Sequence, residues 1–172
     1  QEQIDALNLL GGNFTIELIN GANNIFDCYD ITDDRSVALW DKHLCQGKTV
    51  RGMGNTDAHL QQAIGDVWNG VFVKRLTKKN VIEALWAGHF FASDAPFINM
   101  TSGQSTMGDT VKKRKGSQVE VRYECVDSLG LQQVRVIADG KVVKELWPKH
   151  DQVVKGTHKV KFRGGKSYIR VE

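Results

Sequence analysis

Three cysteines, Cys28, Cys45 and Cys125, are odd in number and far apart, so no disulfide framework is suggested. No C-x-x-C pair is present either, which leaves no thiolate zinc site to propose. A run of about 18 apolar residues, long enough to span a bilayer, is also missing. The first residues, Gln1-Glu2-Gln3-Ile4-Asp5, lack the basic and apolar regions of a signal peptide. These absences lead us to expect a soluble protein of a reducing cytoplasm with no membrane partner. An initiating Met is lacking too, which points to processing, cleavage or numbering from inside a longer protein.

What is present is a chain of 172 residues, 41% apolar, able to bury a core in one medium domain or two small ones. The net charge of +3 hides an asymmetry: residues 1–110 carry −5 and residues 111–172 carry +8. Such a split marks two units with different surfaces. The basic half suggests a polyanion partner at first sight, but its charges mostly alternate with apolar residues along strands, as on a solvated sheet face. No aromatic residues interleave with the basic ones in a stacking pattern, so nucleic acid ranks last among the partners considered.

The first 110 residues mix helix and strand signals. Phe14 to Ile19 is a β-rich run ended by Asn20-Gly21, followed by a loop rich in Asn and Asp. Asp33 or Asp34 can cap a helix with Val37, Trp40 and Leu44 as its apolar stripe and Gly47 as its stop. Lys48 to Gly54 reads as a strand that delivers the chain to Asn55-Thr56-Asp57-Ala58-His59. A second helix has Thr77 as N-cap, Val81, Ile82, Leu85 and Trp86 as its stripe, and Gly88 just past its end. His89 to Ser93 is a further strand, giving the order β-α-β-α-β. Beyond residue 102 the period changes to two: Val119, Val121, Tyr123 and Cys125 alternate with polar residues, as do Val134, Val136 and Ala138. Asp139-Gly140 is a hairpin signal, and the tail reads as a small antiparallel β-sandwich of immunoglobulin-like architecture. The boundary is expected within 101–108.

Asp57-Ala58-His59 is the sharpest chemical signal. In an extended segment, residues i and i+2 project to one side, so a carboxylate and an imidazole can meet one cation. A lone D-x-H is a weak motif, and its place directly after a predicted strand is what raises it.

The string Leu39-Trp40-Asp41, Leu44, Gly47-Lys48, then Gly52-Met53-Gly54-Asn55-Thr56-Asp57-Ala58-His59 resembles the closing metal motif of the polymerase-and-histidinol-phosphatase (PHP) phosphoesterases. Leu76-Thr77, Val81 to Leu85 and Gly88-His89-Phe90 are similar to the helix that follows in that family. Ser93-Asp94-Ala95-Pro96 resembles its S-x-G-P turn, with Ala95 where Gly is usual. Met107-Gly108-Asp109 and the tail around Asp139 to Val143 are similar to the appended sandwich of the CehA/McbA-type branch.

The resemblance implies an α/β partial PHP barrel, its last β/α units, over residues 1–103, followed by an immunoglobulin-like sandwich over 104–172. It implies Asp57 and His59 as metal ligands. Glu17 and Asn20 match a family I-E-x-x-N segment and, with Asn55, become substrate-side or supporting candidates; no residue is assigned as catalytic. The implied cofactor is a divalent metal, Mn, Zn or Fe, and the implied substrate is a phosphorylated small molecule or nucleotide, hydrolysed by metal-activated water. The family's H-x-H pair and its further ligands are absent, since His43, His59, His89, His150 and His158 form no such pair. The chain alone is therefore expected to be inactive, holding no metal unless a missing N-terminal segment or self-association completes it. The alternative reading is a binding module built on the basic sandwich.

Overall fold

A computed structural model describes residues 14–21, 31–59, 61 and 64–172. The Asn- and Asp-rich loop with Cys28 lies outside the described residues. Among the described residues, eleven strands and two helices make the fold mostly β. No helix among the described residues is long and apolar enough to cross a membrane.

The first part opens with β1 (Phe14–Asn20), α1 (Ile31–Cys45) and β2 (Val50–Asn55). β1 and β2 pair in parallel, from Phe14 opposite Val50 to Asn20 opposite Asn55, with α1 as the crossover. α1 begins earlier than the sequence suggests. Asp33 and Asp34 lie in its first turn, where their charge suits the helix dipole, and the Asp33 carboxylate accepts from the Asn20 backbone N–H at 3.1 Å. The Trp40 indole N–H donates to the Val50 carbonyl at 2.8 Å, fixing the helix to β2.

The expected β-α-β-α-β order omits one strand, β3 (Trp68–Val71), which precedes α2 (Lys78–Ala87) and β4 (Phe90–Ser93). β3 holds Asn69 and Gly70 where a strand usually carries branched side chains. Gly70 leaves room for the Phe91 ring, which a Cβ there would meet at 2.2 Å. Asn69 uses its side chain as a strand edge, giving an N–H to Gly54 O at 2.5 Å and taking one from Gly54 N at 3.1 Å.

β3 and β4 pair antiparallel, and the described strands form four sheets. α2 has the ends read from its sequence: Thr77 accepts from Asn80 N at 3.2 Å, and Gly88 closes the helix at φ 83°. Its stripe is only partly covered. Ala84 is buried, whereas Ile82 and Trp86 are 43% and 56% exposed. Two strands about 5 Å apart make a sheet too narrow to cover a helix about 10 Å across.

The second part is a two-sheet β-sandwich. One sheet has the order β10 (Val153–Lys161), β7 (Gln118–Val126), β5 (Phe97–Ser102), β6 (Ser105–Thr106). The other has the order β11 (Ile169–Val171), β8 (Val134–Ala138), β9 (Lys141–Leu146). Val121, Tyr123 and Cys125 of β7 meet Val134 and Val136 of β8 and Leu131 in the core, with the alternation read from the sequence. Burial pushes the Cys125 thiol up to about 11, so this cysteine is an inert core residue at neutral pH. Asp139 and Gly140 turn the β8–β9 hairpin at φ 50° and 73°.

β5 pairs with β7 from Phe97 opposite Val126 to Thr101 opposite Arg122, so a division at 103/104 cuts the first sheet of the sandwich between β5 and β6. The Asn99 and Thr101 side chains hid this strand among polar loop residues. The join between the parts is aromatic: Phe91 packs at 5.4 Å against Trp68 and at 5.4 Å against Phe97.

A clamp ties β11 to α1. The Arg170 guanidinium forks onto Asp41, Nε to Oδ1 at 3.1 Å and Nη2 to Oδ2 at 3.0 Å, and it also meets Glu172 through Nη1. The Tyr168 hydroxyl donates to Asp41 at 2.6 Å, the Trp40 ring lies 5.7 Å from Arg170, and Lys166 donates to Gly47 O at 3.0 Å.

Burial and the Asp41 carboxylate raise the Tyr168 pKa above its ordinary 10.0. The folded state thus holds the phenol proton more tightly than the unfolded chain does. Its contribution is fully present below pH 10 and falls as pH rises beyond it. Urea midpoints taken from pH 9 to 11 should drop more steeply for the parent than for Tyr168→Phe. Parallel slopes would show that Tyr168 does not couple ionisation to folding.

Candidate functional site

The C-terminal ends of β1 and β2 place four of the five candidate side chains together. Strict alternation along β1 would send Glu17 and Asn20 to opposite faces, since they are three residues apart. The register shifts between Glu17 and Ile19, leaving Leu18 as an extra residue buried at 7% exposure. A bulge of this kind re-aims the side chains that follow it. As a result the Asn20 amide reaches Glu17 Oε2 at 3.2 Å and lies 3.4 Å from Asp57 Oδ2. From β2 the Asn55 amide donates to Glu17 Oε1 at 2.9 Å. Two amides thus hold one carboxylate and touch a second, across 37 and 38 residues of chain.

The loop after β2 is not extended at Asp57, so the same-side argument for Asp57 and His59 does not apply there. Asp57 takes φ 47°, an uncommon value for a residue with a side chain. The chain instead folds back, and the His59 ring Nδ1 lies 2.7 Å from the Asp57 carbonyl oxygen. A carbonyl only accepts, so Nδ1 carries the proton and donates, leaving the Nε2 lone pair facing outward. A histidine held in this way is ready to ligate a cation through Nε2. The loop is supported from beneath by Thr56, whose hydroxyl donates to the Val67 carbonyl at 2.6 Å, and by the Gly21 N–H, which donates to Asn55 O at 3.0 Å.

Glu17, Asn55, Asp57 and His59 are exposed and Asn20 is half-buried, so the cluster opens to solvent. As a metal site it is incomplete. Among the described residues no group of three or more His, Cys, Asp or Glu side chains could hold an ion. Asp57 and His59 supply two donors, one fewer than a catalytic zinc site takes from protein, and Glu17 is engaged by the two amides. The described residues bring no third such donor beside Asp57 and His59.

The other histidines stand apart. His43 is fully buried in α1, and His89 Nε2 lies 3.0 Å from Asp109 Oδ1. The Thr106 backbone N–H and His89 hold the Asp109 carboxyl below its usual range. Sequence reading missed Asp33, Thr56 and Asn69 as supports of the cluster. Their contacts run to backbone atoms of other elements, which no local pattern reveals. Comparison with protein-family models, with curated proteins and with solved structures returns no match.

Proposed function

We propose that this chain carries the C-terminal part of a metal-dependent phosphoesterase of the PHP type, with Asp57 and His59 as two of its ligands. The observation that supports this reading is the convergence of Glu17, Asn20, Asn55 and Asp57 at the C-terminal ends of two parallel strands. That is where β/α architectures keep their chemistry. A divalent Mn, Zn or Fe ion, when bound, lowers the pKa of water and neutralises phosphate charge. Asp57, through its carboxylate, and His59, through its imidazole, would supply two of the ligands to such an ion. Asn20 and Asn55 orient Glu17 and keep its carboxylate beside the ligands, where it can accept a proton from water or support a ligand. With two donors in hand, the chain needs further ligands from a preceding segment or a second copy, and alone it hydrolyses nothing. The parallel β1–α1–β2 unit is the stretch that fits the last units of a barrel.

The test is metal affinity, which needs no knowledge of the substrate. In the longest protein that contains this chain, Asp57→Asn should weaken Mn or Zn binding by about 10- to 100-fold. Hydrolysis of a generic phosphodiester should fall with it. Undiminished metal binding and turnover would remove Asp57 from the site.

A further inference from the structure

A cleft of about 1000 Å3 separates the α/β part from the sandwich, and Glu17, Asn20, Asn55, Asp57 and His59 are not among the residues that line it. Leu18, Val37 and Leu44 form one wall, and Ile98, Val160 and Phe162 line the other. This volume is at the upper end of what small-molecule pockets use.

Its rim is charged in an uneven way. Arg170 and Arg135 are matched by Asp41 and Glu172, so that group is neutral. Asp109, also on the rim, is engaged by His89 and by the Thr106 N–H. Lys112 and Lys113 also line the cleft, both exposed, with no carboxylate partner among the described residues. Arg51 lines the same cleft and gives its Nε–H to a neutral acceptor, the Trp86 carbonyl, at 2.8 Å.

The basic run continues through Arg114 and Lys115. Paired bonds, Gly116 N to Phe162 O at 2.8 Å and Phe162 N to Ser117 O at 2.9 Å, set it beside Lys161 and Arg163. Lys161 and Arg163 lie far from Lys112 to Lys115 in the sequence, whereas the fold makes the two segments neighbours.

An apolar cavity wet at one end is unfavourable when filled with water, and a cationic mouth selects what replaces it. We propose that the cleft binds a single-chain anionic amphiphile, a long-chain fatty carboxylate, with its alkyl chain between the two apolar walls and its head at Lys112 and Lys113. The two features select different parts of one molecule. A polyanion would leave the walls unused, and a neutral hydrocarbon would leave the lysines unused. This site is independent of the phosphoesterase reading.

Palmitate, added below its micelle concentration to the full chain, is the probe. Trp40 lines the cleft and reports by fluorescence, and calorimetry gives the stoichiometry. One palmitate should bind saturably, with affinity rising roughly three- to fourfold per methylene from laurate to palmitate. Hexadecanol and Lys112→Glu with Lys113→Glu should each bind at least about tenfold more weakly, because the head loses its partner or meets a like charge. Both lysines are exposed, so the doubly substituted chain should keep its fold, checked by its circular dichroism.

Absence of saturable palmitate binding would overturn the proposal, as would equal affinity for the charge-reversed chain. So would inorganic phosphate or an RNA oligomer binding the same mouth as tightly as palmitate, or a second copy of the chain closing the cleft in sedimentation.

Discussion

Arg170→Ala should destabilise the protein by about 3 kcal/mol, because it removes one partner of a largely buried ion pair and leaves Asp41 uncompensated. The Arg170 and Asp41 side chains are 14% and 19% exposed, so water cannot readily replace the lost guanidinium. In urea denaturation the midpoint should fall by roughly 1–3 M for slopes of about 1–3 kcal/mol/M. Arg170→Lys should recover only part of the loss, since an ammonium cannot reproduce the fork onto both Asp41 oxygens. Arg170→Ala combined with Asp41→Ala should cost less than the two single losses together, the mark of a direct pair. A midpoint for Arg170→Ala within error of the parent would show that the α/β part and the sandwich do not stabilise each other through this contact.

Gly108→Ala should cost a similar amount for a different reason. Gly108 takes φ 87°, which costs an L-residue about 1–2 kcal/mol. A Cβ there would also lie 2.4 Å from Ala87 O and 2.5 Å from Gly88 C, both backbone atoms at the end of α2. Overpacking of this kind costs about 1–3 kcal/mol more. The helix end cannot move aside without disturbing the neighbouring His89–Asp109 contact. Gly103→Ala is the control, because Gly103 has φ 62° but nothing within 4 Å of its Cβ position, so only the backbone strain remains. Equal thermal midpoints for the two variants would show that the close approach at Gly108 is not a constraint.

Local chemistry accounts for the parts of the fold that were legible in the sequence. Thr77 and Gly88 bound α2 because a cap needs only its own turn, and Asp139-Gly140 marks the hairpin because both positions require left-handed backbone. Alternation from Val119 to Cys125 located the sandwich core because one face of β7 is buried and the other is not. β3 and β5 were missed where Asn, Gly and Thr carried too little β signal of their own and the pairing strand supplied the order.

The candidate residues Glu17, Asn20, Asn55, Asp57 and His59 could be picked out one at a time, by motif. Their mutual distances could not, because the bulge at Leu18 and the turn at Asp57 depend on which strands become neighbours. The same limit hid the approach of Lys112 to Lys115 to Lys161 and Arg163, and the pairing of Asp41 with Arg170. Patterns in one segment say nothing about a partner that far along the chain.

The Asp41–Arg170 separation of 129 residues has a consequence for how the molecule is made. A ribosome adding about 5–20 residues per second takes on the order of ten seconds to travel from one partner to the other. Throughout that interval α1 has emerged with Asp41 unmet, and closing so long a loop carries a further entropic cost. The sandwich hairpins, built from neighbouring strands, can form meanwhile. The clamp can therefore form only once β11 has emerged, and until then the α/β part should be more open to proteases and chaperones.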